Sequence, residues 1–197
     1  MSTARQTQTA ARPAHAGGIV VLDFGGQYTQ LIARRVREMN VYSAILPCST
    51  PLEDIKALEP AGLVLSGGPS SVYAPDAPVC DPKVLQLGKP ILGICYGMQL
   101  ACQLLGCDIG AADAREFGRA KLTIHDHRDL LADIPATTTV WASHGDLVCD
   151  LAEHFDTLAS TPNCPFAAVR HKQVPFFGVQ FHPEVTHTPH GIELLRN

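Results

Sequence analysis

Four short apolar runs punctuate the first half of the chain: IVVLDF (19–24), VYSAIL (41–46), AGLVLS (61–66) and PILGI (90–94). None alternates strictly between polar and apolar residues, as a strand with one wet face does. The first, continuous and β-branched at its start, reads as a strand buried on both faces, and the other three read as further strands. The segments between them have helical spacing. YTQLIARRVREMN (28–40) sets Leu31, Ile32, Val36 and Met39 on one side of a helix. A short helical pattern lies near 52–58. YGMQLACQLLG (96–106) is a helix closed by Gly106, the residue best able to take a left-handed C-terminal conformation. Strand–helix alternation of this kind dictates βαβ units and a parallel sheet.

The second half changes character. KLTIH (121–125), TTTVWAS (137–143), DTLAS (156–160), FAAVR (166–170) and PFFGVQF (175–181) are strand-like, with few helical patterns between them. The expected fold is α/β: an open, mostly parallel sheet flanked by helices, with an added antiparallel β portion in the second half and a return to the main sheet. HGIELLRN (190–197) begins a last helix. MSTARQTQTAARPAHAG (1–17) is polar, Ala-rich and without periodicity. It reads as a disordered leader, leaving one folded domain over 18–197.

Composition narrows the function classes. The chain of 197 residues is 46% apolar and 17% charged, enough to bury a sizeable core. Its net charge of −4 offers no basic face for nucleic acid. No apolar run approaches the roughly 18 residues of a membrane span. Seven cysteines occur without a CxxC pair or an apolar secretory segment. The expectation is a cytoplasmic protein whose thiols mostly serve as small core hydrophobes.

Cys95 is the exception. It stands between Gly93 and Gly97 in LGICYG, after a buried strand and before a helix. The same frame around serine makes a nucleophile elbow. Such a turn strains the nucleophile's backbone and needs small neighbours. It thrusts the side chain out at the carboxyl edge of the sheet, where open α/β sheets bind ligands. The helix N-terminus there favours an anion, and the Tyr96 N–H can bind a developing oxyanion. Gln99 lies four residues on, on the same helix face. It either reaches what sits on the thiol or marks, with Gln103, a solvent stripe.

A thiol nucleophile needs a base, and the base needs an orienter. Of nine histidines, His15, His125, His127, His154 and His171 read as surface residues. His182 ends an apolar strand and is followed by Pro183 and Glu184, the parts of a Cys–His–Glu triad. The residues alone leave open a metal site from His182, Glu184, His187 and His190, although no HExxH pattern accompanies them. A third part is LSGGPSSVY (65–73). There a buried strand runs into paired glycines that can aim the Gly68 N–H at a substrate. A cysteine peptidase, or a non-catalytic module of the same fold, would also be compatible with single features of this set.

Taken in this order, GICYGMQ, SGGP and GVQFHPE resemble the nucleophile, oxyanion-loop and His–Glu motifs of the class I (triad) glutamine amidotransferases, a likeness that covers nearly the whole chain from Gly18. VLDFGGQYTQLIARRVRE (21–38), SGGPSSVY, WASHGD (141–146) and HPEVTHT (182–188) are similar to the amidotransferase domain of the GMP synthase subfamily. The resemblance implies a glutaminase. Cys95, His182 and Glu184 would be catalytic, and Gly68 and Tyr96 would form the oxyanion hole. Gln99, Ser143, His144 and Asp146 would hold L-glutamine. No metal or cofactor is implied in this domain. An ATP-pyrophosphatase synthetase part, absent here, would use ATP and Mg to convert XMP to GMP with the ammonia, and any dimer would form through that part. For SHGD the residues alone leave a polar turn after the strand at 137–142 as the other reading.

Overall fold

The computed structural model describes residues 17–197, so the leader read at the N-terminus lies, apart from Gly17, outside the described residues. Among the described residues nine strands form one sheet: β1 (Ile19–Asp23), β2 (Ser43–Pro47), β3 (Gly62–Leu65), β4 (Ile91–Ile94), β5 (Asp108–Ile124), β6 (Thr137–Asp150), β7 (Phe155–Ser160), β8 (Ala168–His171) and β9 (Phe176–Val179). Their order is β2-β1-β3-β4-β9-β8-β7-β5-β6. The first five in that order pair in parallel. From β9 to β6 every pairing is antiparallel. The expected architecture is therefore present, including the return of the last strand, β9, beside β4.

Successive residues of the central strands enter different cores, because side chains alternate across a sheet. Val20, Leu22, Leu63, Leu65 and Ile91 pack on one face with Met98, Leu100 and Ala101 of α3 (Tyr96–Leu104) and Ile55 of α2 (Leu52–Ala57). Val21, Val64 and Ile94 pack on the other with Ile32 and Ala33 of α1 (Thr29–Glu38) and Leu194 of α4 (Gly191–Arg196). This double burial is why the runs of β1, β3 and β4 lack alternation; β2, at the sheet edge, buries only Ser43, and Val41 and Tyr42 before it are exposed. Burial against the sheet also holds the helices. α2 and α4 have six residues each, far below the roughly 12–15 at which an isolated helix is even marginal in water. Burial of each large aliphatic side chain contributes about 1.5–3 kcal/mol instead. On α1 the buried stripe is Thr29, Ile32, Ala33 and Val36; Leu31 and Met39 are only half-buried. Gly106 follows α3 with φ +90°, the expected helix stop.

One strand appears where the sequence offered no reading, and one expectation changes. The stretch 108–120, DIGAADAREFGRA, is rich in Ala, Gly and Asp, all poor strand formers. It is strand nonetheless, because β5 pairs along β6 from Asp108↔Asp150 to Thr123↔Thr137. His171 is buried, not superficial. Its Nδ1 accepts the N–H groups of Gln173 (3.1 Å) and Val174 (2.9 Å), and its ring meets Phe155 edge-on at 4.8 Å. Local charge could not show which way that strand end faces. Cys80, Cys102, Cys107 and Cys164 are buried, and none of the seven cysteines forms a disulfide. Among the described residues no helix is long and apolar enough to cross a membrane.

The long β5–β6 ribbon positions the site. β6 is an edge strand by order, yet its middle curls over the carboxyl end of the sheet. The His182 N–H donates to the Trp141 carbonyl at 2.9 Å, and the Trp141 N–H donates to Thr188 Oγ1 at 3.0 Å.

Candidate active site

Cys95 caps the N-terminus of α3 with φ 51° and ψ −108°. That conformation costs an L-residue about 1–3 kcal/mol and persists only where the surroundings impose it. Here three backbone hydrogen bonds impose it: Cys95 N–H to Val179 O (2.8 Å), Gly97 N–H to Ser66 O (3.0 Å) and Gln99 N–H to Cys95 O (3.1 Å). The turn passes so close to β3 that a Cβ on Gly97 would run into the Leu65 carbonyl. The thiol is 3.8 Å from the Ser143 carbonyl, and Gln180 Nε2 donates to it at 3.7 Å.

His182 and Glu184 follow β9. His182 Nδ1 is 2.7 Å from Glu184 Oε1, with the residues only 6% and 1% exposed. The Glu184 carbonyl accepts from Arg35 Nε at 3.0 Å, which pins the turn to α1. Tyr28 meets the imidazole edge-on at 5.2 Å. Burial acts against a charge on His182, but hydrogen bonds to Cys95 and Glu184 and their negative charges outweigh it and raise the imidazole to about 10. The ring thus faces the carboxylate on one side and the thiol on the other. A Cβ on Gly67 would lie 3.3 Å from His182 Cε1 and 3.8 Å from Cys95 Cβ, so the glycine loop after β3 closes directly on the pair.

Ser66 shapes that loop: its hydroxyl accepts from the Phe24 N–H (3.0 Å) and donates to the Gly67 carbonyl (2.8 Å). Gly68 is wedged between β1 and the elbow; a Cβ there would be 2.9 Å from Phe24 O and 3.1 Å from Tyr96 Cγ. The Tyr96 N–H lies in the first turn of α3, where helix geometry supplies no intrahelical carbonyl.

Ser143, His144 and Asp146 are not in a turn after a strand. They are part of β6 itself. Gln99 is 3% exposed, so it marks no solvent stripe. Its Nε2 donates to the Asp146 carbonyl (2.8 Å) and to Gln180 Oε1 (3.2 Å), joining the elbow helix to β6 and β9. All nine residues singled out in the sequence line one cavity of about 430 Å³ at the carboxyl ends of the parallel strands. His187 and His190 stay apart from it: His187 stacks on Trp141 at 4.5 Å, and His190 caps α4. Among the described residues no group of three or more His, Cys, Asp or Glu side chains is arranged to hold a metal ion.

Sequence reasoning missed Gln180, Glu116 and Arg115. Gln180 had a signal, as the one polar residue inside PFFGVQF. Glu116 and Arg115 had none, because the strand that carries them was invisible.

The profile of the family described as glutamine amidotransferase class-I matches residues 20–197. The chain belongs to this family. Within the class-I amidotransferases it is 54% identical over 180 residues to the GMP synthase [glutamine-hydrolyzing] of Parasynechococcus marenigrum, covering 91% of this chain and 34% of that protein. It is 50% identical over 193 residues to the corresponding Gloeobacter violaceus protein, covering 98% of this chain and 35% of the relative. The chain thus spans about a third of the length of these relatives. Among solved structures, a putative GMP synthase subunit from Thermoplasma acidophilum superposes with a TM-score of 0.82 at 32% identity over 92% of each chain. A Thermotoga maritima glutamine amidotransferase shares the fold, with a TM-score of 0.68 at 22% identity over 87% of this chain and 77% of that one.

Proposed function

We propose that this class-I amidotransferase domain hydrolyses L-glutamine to glutamate and ammonia, with Cys95, His182 and Glu184 as its catalytic triad. The observation that carries the reading is the meeting of the strained Cys95 elbow with the His182–Glu184 pair across one pocket. The Cys95 thiolate adds to the γ-carbonyl of glutamine. The N–H groups of Gly68 and Tyr96 hold the resulting oxyanion. Imidazolium His182 gives its proton to the departing nitrogen, the C–N bond breaks and ammonia leaves, with a γ-glutamyl thioester on Cys95. His182 then takes a proton from water as the oxygen attacks the thioester. The C–S bond breaks, glutamate departs and the thiolate is restored. Glu184 orients the imidazole throughout, and Gln180 steadies the sulfur through its N–H.

Gln99, Ser143, His144 and Asp146 hold the amino-acid end, Asp146 facing the α-ammonium. Arg115, which lines the same cavity, supplies a cation for the α-carboxylate. The domain itself needs no metal or cofactor in this scheme. Its ammonia is passed in the cytoplasm to an ATP-pyrophosphatase synthetase part, which uses ATP and Mg to convert XMP to GMP; any dimer forms through that part. Enclosure by the partner keeps ammonia from solvent.

The test is trapping with a glutamine analogue bearing an electrophilic γ-group, followed by peptide mapping. One adduct on Cys95, blocked by excess glutamine, supports the reading. Adducts scattered over several cysteines and indifferent to glutamine overturn it. XMP amination on adding the synthetase part distinguishes this acceptor from others.

A further inference from the structure

The β5–β6 ladder breaks beside the pocket. Ala111 pairs with Asp146 and Glu116 with His144, so four residues of β5 stand opposite Gly145 alone. Of the wall 143–146 only Gly145 is therefore left without a register partner, between Asp146, paired with Ala111, and His144, paired with Glu116. Side chains brace the edge of the break. Glu116 and His144 sit directly opposite each other, both buried, with His144 Nε2 3.5 Å from Glu116 Oε2. The carboxylate is itself fixed. Thr161 Oγ1 lies 2.8 and 2.9 Å from its two oxygens, and the same hydroxyl accepts the Cys164 N–H at 3.0 Å. The other ring nitrogen of His144, Nδ1, is buried with no hydrogen-bond partner. A buried carboxylate and imidazole are costly to desolvate, and neither takes part in the bond-breaking steps proposed above.

We infer that Glu116 is a positioning residue for substrate binding: braced by Thr161, it holds His144 in place and so keeps the 143–146 wall shaped for the amino-acid end of glutamine. This rests on the proposed glutaminase reading. It makes the pocket a site with two imidazole–carboxylate pairs of separate duty. His182–Glu184 serves the thiol, and His144–Glu116 serves recognition. Burial pushes His144 below the ordinary imidazole range, with Glu116 opposing. A neutral His144 presents one donor and one acceptor, and the acidic partner at Nε2 takes the donor.

The experiment compares two labels on Cys95 in the chain as it stands: the electrophilic glutamine analogue, and iodoacetamide, which has no amino-acid end to recognise. For Glu116→Gln the half-saturating concentration of the analogue rises tenfold or more, while its limiting rate and the iodoacetamide rate stay within twofold of the parent. Thr161→Val, which removes only the brace, moves the same constant in the same direction by a smaller factor. It serves as the second variant if Glu116→Gln fails to fold. Unchanged analogue affinity in a folded variant overturns the inference. So does an equal loss with both labels, which would mean general damage to the thiol site. If the parent chain is labelled by iodoacetamide but not by the analogue, the glutaminase reading itself has failed.

Discussion

The Nδ1 of His182 and the Oε1 of Glu184 lie 2.7 Å apart in a turn of two residues, and the same imidazole reaches Cys95 from its other side. The three groups come from two strand ends that pair in parallel, β4 and β9. Neighbouring strands of a parallel sheet end together, so a residue after β4 and one after β9 meet at the same edge without a long loop.

That relationship makes the carboxylate separable from the nucleophile. Glu184→Gln keeps the shape but withdraws the charge that favours the imidazolium. Glutamine turnover should fall by about 10²-fold or more, within the range typical of general acid–base catalysis, with KM changed less than threefold. Steady-state kinetics of ammonia release check this; a KM effect alone would assign Glu184 to binding.

The charged imidazole also carries a pH signature in stability. His182 is raised to about 10 in the folded protein, with burial opposing and Cys95 and Glu184 prevailing, against about 6.5 for an ordinary imidazole. Its contribution is fully present below about 6.5 and is lost as pH climbs through about 10. Melting temperature should therefore drop more steeply between pH 7 and 10 in the parent than in His182→Asn. Parallel curves would contradict the raised value.

Strain at the elbow predicts a trade between stability and activity. Cys95 has φ 51°, which glycine tolerates and alanine does not. Both Cys95→Ala and Cys95→Gly abolish labelling, but Cys95→Gly should melt about 2–4 °C higher than Cys95→Ala, as expected for about 1 kcal/mol in a domain of this size. Calorimetry of the two variants decides it.

Gln180 donates to the sulfur at 3.7 Å and accepts from Gln99. Gln180→Met retains bulk and loses the donor. Iodoacetamide alkylation of Cys95 at pH 7 should slow several-fold with the fold intact by circular dichroism. An unchanged rate would remove Gln180 from the site's chemistry.

Gly97 is a folding requirement more than a catalytic one. Any Cβ there meets the Leu65 backbone carbonyl, which cannot swing away as a side chain could. Gly97→Ala should lower the yield of soluble protein sharply, whereas Gly88→Ala, where a Cβ meets nothing but φ is +65°, should cost only about 1 kcal/mol. Comparable soluble yields would show that the elbow can shift.

Much of this protein was written locally. The unbroken apolar runs of β1, β3 and β4 foretold buried strands, because the middle of a parallel sheet leaves neither face wet. Glycine spacing around Cys95 foretold a turn that only small neighbours allow, and His182 and Glu184 are close enough in sequence for their contact to be local. Tertiary structure decided what depends on partners far along the chain. The stretch 108–120 became strand because β6 lies beside it, against its own propensity. SHGD became a pocket wall because the ribbon curls over the sheet and carries the Ser143 carbonyl to the thiol. Gln99 turned inward because Asp146 and Gln180 wait there with acceptors. Glu116 acquired a place beside His144 only through a break in register that no spacing in the sequence announces. Propensity and periodicity act over a few residues and are legible in order. The desolvation and hydrogen bonding that assign a buried polar side chain its place act across the folded interior.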